Sequence, residues 1–131
     1  MGLEAKLETV NWPAASGEYK VVQVYVDGQS HLLFPRADKK RHAVMLVNML
    51  NALQIPVVQM TIQDEFETRT LPALEGERYR VAGMGRATVD AQQRKAVFYG
   101  FSTDYGLYID SEHLKEIRKL QPDWNIEMGS K

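Results

Sequence analysis

The sequence predicts an α+β fold: a mostly antiparallel, twisted sheet with two helices packed against it, in a single domain. Three observations carry that expectation. Segments such as "YKVVQVYV" (19–26) and "KAVFYGFS" (95–102) concentrate β-branched and aromatic residues, which suit a pleated, half-buried surface. Two others, opening near Asp38 and Ser111, carry apolar residues at helical spacing. The order (strand, strand, helix, several strands, helix, strand) favours antiparallel neighbours over repeated crossovers.

Each element follows from local chemistry. Residues 1–17 read as a polar N-terminal arm ending in the turn-rich "PAASG". "YKVVQVYV" is the first strand, Asp27-Gly28 the two-residue turn of a hairpin, and "SHLLF" (30–34) the return, broken by Pro35. Asp38 is the expected helix cap, since its carboxylate can accept a free amide of the first turn. His42, Leu46, Met49, Leu50 and Leu53 then form one face, and Pro56 marks the end. "VVQMTIQ" (57–63) alternates as a strand does, while the acidic stretch 64–77 fits either a loop or an extra hairpin. "RYRVAG" (78–83) and "KAVFYGFS" pair around the turn-rich "DAQQ" (90–93). Asp110 or Ser111 caps a last helix with Leu114, Ile117 and Leu120 facing inward, Pro122 stops it, and "WNIEM" (124–128) returns as a short strand.

The totals bound the function. Net charge is −1, from 16 Lys+Arg against 17 Asp+Glu, so the basic footprint of a general nucleic-acid binder is missing and no nucleic-acid partner is expected. The chain has no cysteine, which removes disulfides, thiol nucleophiles and thiolate zinc sites and is compatible with a reducing cytoplasm. "MGLEAKLETVNW" carries acids and no long apolar run, so neither a signal peptide nor a membrane partner is expected. Gly2 lacks the Ser or Thr that myristoylation wants at position six, where Lys6 stands. Oligomeric state is open.

Few residues suggest chemistry. His42 falls in the first turn of its helix, on the apolar face, where the partial positive charge of a helix N-terminus disfavours imidazolium. A neutral imidazole can act as base or nucleophile; the plainer alternative is a core histidine satisfied by a backbone carbonyl. His31 and His113 are expected at the surface, and three histidines without a His-x-x-x-His pair make no metal site. Asp64, Glu65 and Glu67 lack calcium-loop spacing. Two glycine-punctuated stretches, "GMGR" (83–86) and "YGFSTDYG" (99–106), read as places that bend strands and admit an anion. Neither is a dinucleotide or P-loop fingerprint, and taken alone "GMGR" fits a bulge or a close backbone approach within a strand. Ser102 lacks the G-x-S-x-G elbow of a serine hydrolase.

Taken together these pieces resemble the phosphohistidine phosphatase (Janus) family of small α+β proteins. "YKVVQVYV" is similar to the family's first core strand, with Lys20 in the lysine position, and His42 in "RHAVML" takes the place of the active-site histidine. "GMGRATVDAQQRKAVFYGFSTDYG" aligns without a gap to the Gly-x-Gly-Arg segment, its turn and the following strand end, and "DSEHLKEIRKLQPDWNIEM" follows the closing helix and strand. Coverage is about 17–54 and 78–128, leaving 57–77 as an insertion relative to the family.

The resemblance implies a phosphohydrolase that needs neither metal nor cofactor and removes phosphate from phosphohistidine, or phospholysine, in a protein substrate. His42 is then the catalytic residue, as a base toward water or a transient phosphate acceptor. Lys20 and Arg86 hold phosphate oxygens, joined by Ser102, by the backbone amides of 102–104 (Thr103 and Asp104 included), and by Arg36 if a short gap is allowed. Glycines would let the strand approach the ligand closely. Asp104 departs from the family's small residue: turned inward, its carboxylate repels phosphate; turned outward, it does not. The alternative is a non-catalytic module that binds an anion or a protein tail on the same fold.

Overall fold

The computed structural model describes residues 7–35, 41–63 and 65–129, and it is the α+β domain expected. The elements are β1 (Gly17–Val26), β2 (Gln29–Leu33), α1 (His42–Ala52), β3 (Gln59–Gln63), β4 (Thr68–Pro72), β5 (Tyr79–Asp90), β6 (Lys95–Tyr99), α2 (Ser111–Leu120) and β7 (Asn125–Met128). Five strands form one sheet in the order β2-β1-β5-β6-β7, and β3 and β4 form a separate two-stranded hairpin. The pairings are antiparallel except β6 with β7, which run parallel because α2 carries the chain across between them. Among the described residues no helix is long and apolar enough to cross a membrane.

Strand alternation splits the core into two layers. Val22, Val24 and Val26 of β1 pack with Met84 of β5 and with Met45, Leu46, Met49 and Leu50 of α1. Val21, on the other face, packs with Ala87, Val89, Phe98 and with Leu114 and Ile117 of α2. One helix thus covers each side of the sheet. The face of α1 repeats at His42, Met45, Leu46, Met49 and Leu50, a stripe one helical turn wide. Arg41 holds the cap position without a side-chain cap bond, so packing rather than capping stabilises this helix. Asp38, the expected cap, lies outside the described residues. The second helix is capped as expected, Asp110 accepting from the His113 amide at 2.9 Å.

Three expectations need correction. The chain does not change direction at "GMGR": β5 runs through it from Tyr79 to Asp90, with the bulge and close backbone approach within a strand that these glycines alone suggested. His31 and His113 are buried, not exposed. The His113 ring donates from Nε2 to the Val24 carbonyl at 3.1 Å and its Nδ1 faces Gln23 Nε2 at 3.4 Å, while His31 Nδ1 donates to the Glu8 carbonyl at 2.8 Å. Both ring nitrogens of His113 and Nδ1 of His31 find partners remote in sequence, which permits burial and which spacing does not reveal. Leu120, expected inside, is 48% exposed, at the last residue of α2, where the chain turns back toward β7.

The two turns behave as their residues dictate. Asp27 (φ 48°) and Gly28 (φ 81°) take the left-handed pair that joins twisted hairpin strands, and Asp90 Oδ1 accepts from the amides of Gln92 and Gln93, both at 3.1 Å. The arm is held too: Val10 pairs with Leu32, and Trp12 stacks on Trp124 with centroids 3.8 Å apart. The ambiguous acidic stretch resolves as the return of the β3–β4 hairpin.

Candidate functional site

A β-bulge sets which residues of β5 face α1. Register runs Lys20↔Arg86, Val22↔Met84 and Gln23↔Gly83, then shifts so that Val24 faces Val81, leaving Ala82 as the extra residue. Without that insertion the alternation would turn Val81 away from the α1 core; with it Val81 and Met84 both contribute there. Beyond α1 the same face carries one cross-strand row, Lys20, Arg86 and Tyr99, since Arg86 pairs with Lys20 on one side and Tyr99 on the other. Glu18 lies in the next row.

The glycines of "GMGR" serve packing. A Cβ on Gly83 would meet Gln23 Oε1 at 2.3 Å, the Tyr108 carbonyl at 2.5 Å and the Asp110 amide at 2.9 Å; one on Gly85 would meet the Tyr99 carbonyl at 2.6 Å and Ile109 Cδ1 at 2.7 Å. The space they clear is filled by the 108–110 segment and its partner Gln23, so the expectation that these glycines admit an anion is corrected. Gly100 (φ 81°) and Gly106 (φ 69°) differ, having open surroundings but left-handed backbone that turns the chain after β6.

His42 is the first residue of α1 and is 6% exposed. Its Nε2–H donates to the Gly85 carbonyl at 2.9 Å; a carbonyl only accepts, so this bond sets the tautomer and leaves the lone pair on Nδ1. Burial holds the ring below its ordinary pKa; the Gly85 bond opposes this, Lys20 adds to the depression, Asp104 opposes it, and Arg86 adds again. The charges of Lys20, Arg86 and Asp104 therefore all reach a ring that is neutral at pH 7. The plain alternative raised by the sequence, a buried histidine satisfied by a carbonyl, also describes this side chain. What distinguishes it is its neighbours.

Those neighbours are unequal. Lys20 is half-buried and, among the described residues, carries no ion pair. Arg86 is engaged: its Nη1 donates to Glu18 Oε1 at 3.0 Å, and Glu18 Oε2 accepts a short hydrogen bond from the Tyr99 hydroxyl. Asp104 pairs with Arg69 Nη1 at 3.7 Å. Ser102 is buried and Thr103 exposed, both in the turn that holds Asp104, and neither hydrogen bonds to His42. The Ser102 amide, expected to be available, donates to the Leu107 carbonyl at 2.8 Å, and Ser102 Oγ accepts from the Tyr105 amide at 3.3 Å. The amides of Thr103 and Asp104 have no hydrogen-bond partner among the described residues. Arg36 lies outside the described residues. Among those described, no group of His, Asp and Glu is placed to hold a metal ion.

Three participants escaped sequence reasoning. Glu18 had a signal, since it stands two residues before Lys20 and so shares its strand face. Tyr99 required the β5–β6 register. Arg69 belongs to a hairpin far along the chain, and no local pattern ties it to residue 104. No protein-family model matches the chain, and no curated protein matches it.

Proposed function

We propose that the chain is a metal-independent phosphohydrolase similar to protein-histidine phosphatases, acting on a phosphorylated protein, with His42 as the catalytic residue. The observation that carries this reading is a neutral imidazole of set tautomer that feels two cations, Lys20 and Arg86, from adjoining strands. Lys20, without a counter-ion among the described residues, is the first contact for a phosphate oxygen. Arg86 would follow by exchanging Glu18 for the ligand, its planar fork matching two oxygens. The amides of Thr103 and Asp104 add donors. Phosphoryl transfer spreads negative charge over the equatorial oxygens, so placing donors around them supplies most of the catalysis.

In the hydrolysis of phosphohistidine a water oxygen bonds to phosphorus, the P–N bond breaks, and the leaving nitrogen takes a proton. His42 Nδ1 would accept the proton of that water or, in a two-step route, bond to phosphorus itself before water releases it. A chain without cysteine suits a reducing cytoplasm, where such a substrate would be met.

The test is release of inorganic phosphate from phosphoramidate and from a phosphohistidine protein. His42→Ala should lose about a hundredfold or more in turnover, and Arg86→Ala should act mainly on KM. Unchanged turnover in His42→Ala rules the reading out. One observation favours a second reading, a non-catalytic anion-binding module: Arg86 is already paired with Glu18. Retention of phosphate by the wild type without turnover would select it.

A further inference from the structure

We propose that Arg69 of β4 is a positioning residue for the 102–106 loop: its guanidinium offsets the Asp104 carboxylate, and so lets that loop receive an anion beside His42. The inference rests on reading the site as a phosphate site. Asp104 is the difficulty in that reading, because its charge reaches the His42 ring and would repel a phosphate brought there. Arg69 Nη1 stands 3.7 Å from Asp104 Oδ1, with side chains 25% and 31% exposed, so the pair is partly shielded from water and from salt. Glu67 Oε1 approaches Arg69 Nε at 3.6 Å, which places the guanidinium between one carboxylate of its own hairpin and one of the loop.

The hairpin is held where this pairing needs it. The Tyr105 hydroxyl, next to Asp104, donates to the Pro72 carbonyl of β4 at 2.7 Å, and the Tyr79 hydroxyl donates to the Ala73 carbonyl at 2.6 Å. Burial, with Tyr79 and Asp104 adding, pushes the Tyr105 phenol up to about 12, so it keeps the proton that makes the first of these bonds. Val57 and Leu74, at the two roots of the hairpin, pack against the α1 core. Among the described residues, hairpin and loop therefore meet through an ion pair and a hydrogen bond on neighbouring loop residues. Removing the arginine leaves the carboxylate while the loop keeps its Tyr105 anchor.

The test is a double-mutant cycle with Arg69→Gln, Asp104→Asn, both together, and Arg69→Lys. Each is checked for folding by thermal melt and read out in two ways, as the dissociation constant for inorganic phosphate and as the NMR titration of the His42 ring. Arg69→Gln should weaken phosphate binding by about three- to tenfold, the scale of a partly exposed ion pair beside a dianion. Arg69→Lys should restore most of that, and the double variant should bind as tightly as Asp104→Asn. The His42 midpoint should rise in Arg69→Gln and fall again in the double variant. If the wild type binds phosphate but Arg69→Gln matches it in both readouts, the inference fails while the phosphate reading stands. A double variant as weak as Arg69→Gln also overturns it, since the arginine would then act through shape. A wild type that retains no phosphate removes the reading and the inference together.

Discussion

Glu18 already gives Arg86 what a phosphate would give it. Its carboxylate takes Nη1 of the guanidinium through one oxygen and the Tyr99 hydroxyl through the other. Burial and this carboxylate both hold the Tyr99 phenol above its ordinary pKa, burial being the larger cause, so Tyr99 remains a donor. Side chains of Arg86 and Glu18 are about half exposed, and an ion pair of that kind contributes little to stability. In the proposed phosphate site its effect would fall on binding, where an incoming anion would compete with it. Glu18→Gln removes the competing charge while keeping a hydrogen-bond acceptor. Inorganic phosphate should then bind about three- to tenfold more tightly, with a melting temperature close to that of the wild type. Weaker binding in this variant would show that Glu18 orients Arg86 instead of occupying it.

At the scale of the element, β5 is where stability and site geometry meet. One strand supplies Arg86 to the candidate site, the Gly85 carbonyl to His42, and two glycines to the packing of the 108–110 segment. Substitution separates the roles of the glycines. A methyl at Gly83 collides with two backbone atoms that cannot step aside, so Gly83→Ala should cost about 3 kcal/mol, the upper end of overpacking effects. Gly100→Ala meets nothing within 4 Å and strains only a left-handed residue (φ 81°), for about 1 kcal/mol. Urea unfolding of both variants checks the contrast, and equal losses would contradict it. The strand was readable in part. "RYRVAG" announced its first half, and the glycines of "GMGR" pointed to a close backbone approach within a strand, but nothing local says which remote segment presses against them. His42 illustrates the same limit. Its place at the start of a helix followed from spacing, whereas its bond to Gly85, forty-three residues away, depends on how α1 lies on β5.

At the scale of the molecule, the two helices seal opposite faces of one sheet and each buries a histidine against it. Burial depresses both His42 and His113 below their ordinary value of 6.5, in each case as the largest cause. The unfolded chain therefore takes up protons first as pH falls, and stability present above about 6.5 is lost progressively below it, down to the lower pKa of the folded rings. The depressed Glu116 carboxyl has the same sign but acts only below its ordinary 4.5, so the windows are separate. Urea midpoints followed from about pH 7.5 to about pH 5 should decline through the histidine window. A flat profile there, or a His113 ring that titrates in the folded protein at 6.5 or above, would contradict this account.

The amino-acid order by itself determined what depends on neighbours along the chain: the Asp27-Gly28 turn, the period of strands such as 19–26 and 95–99, a cap at Asp110 or Ser111, and a helix carrying His42 in its first turn. These follow from backbone dihedrals and from side-chain periods of two and 3.6 residues, which any short window displays. Tertiary structure alone decided which charges meet. The row of Lys20, Arg86 and Tyr99, the Glu18 that occupies it, and the Arg69 that faces Asp104 come from strand register, one bulge and the docking of a hairpin. Coulomb energy and hydrogen bonding depend on ångström distances between elements remote in sequence, and packing sets those distances.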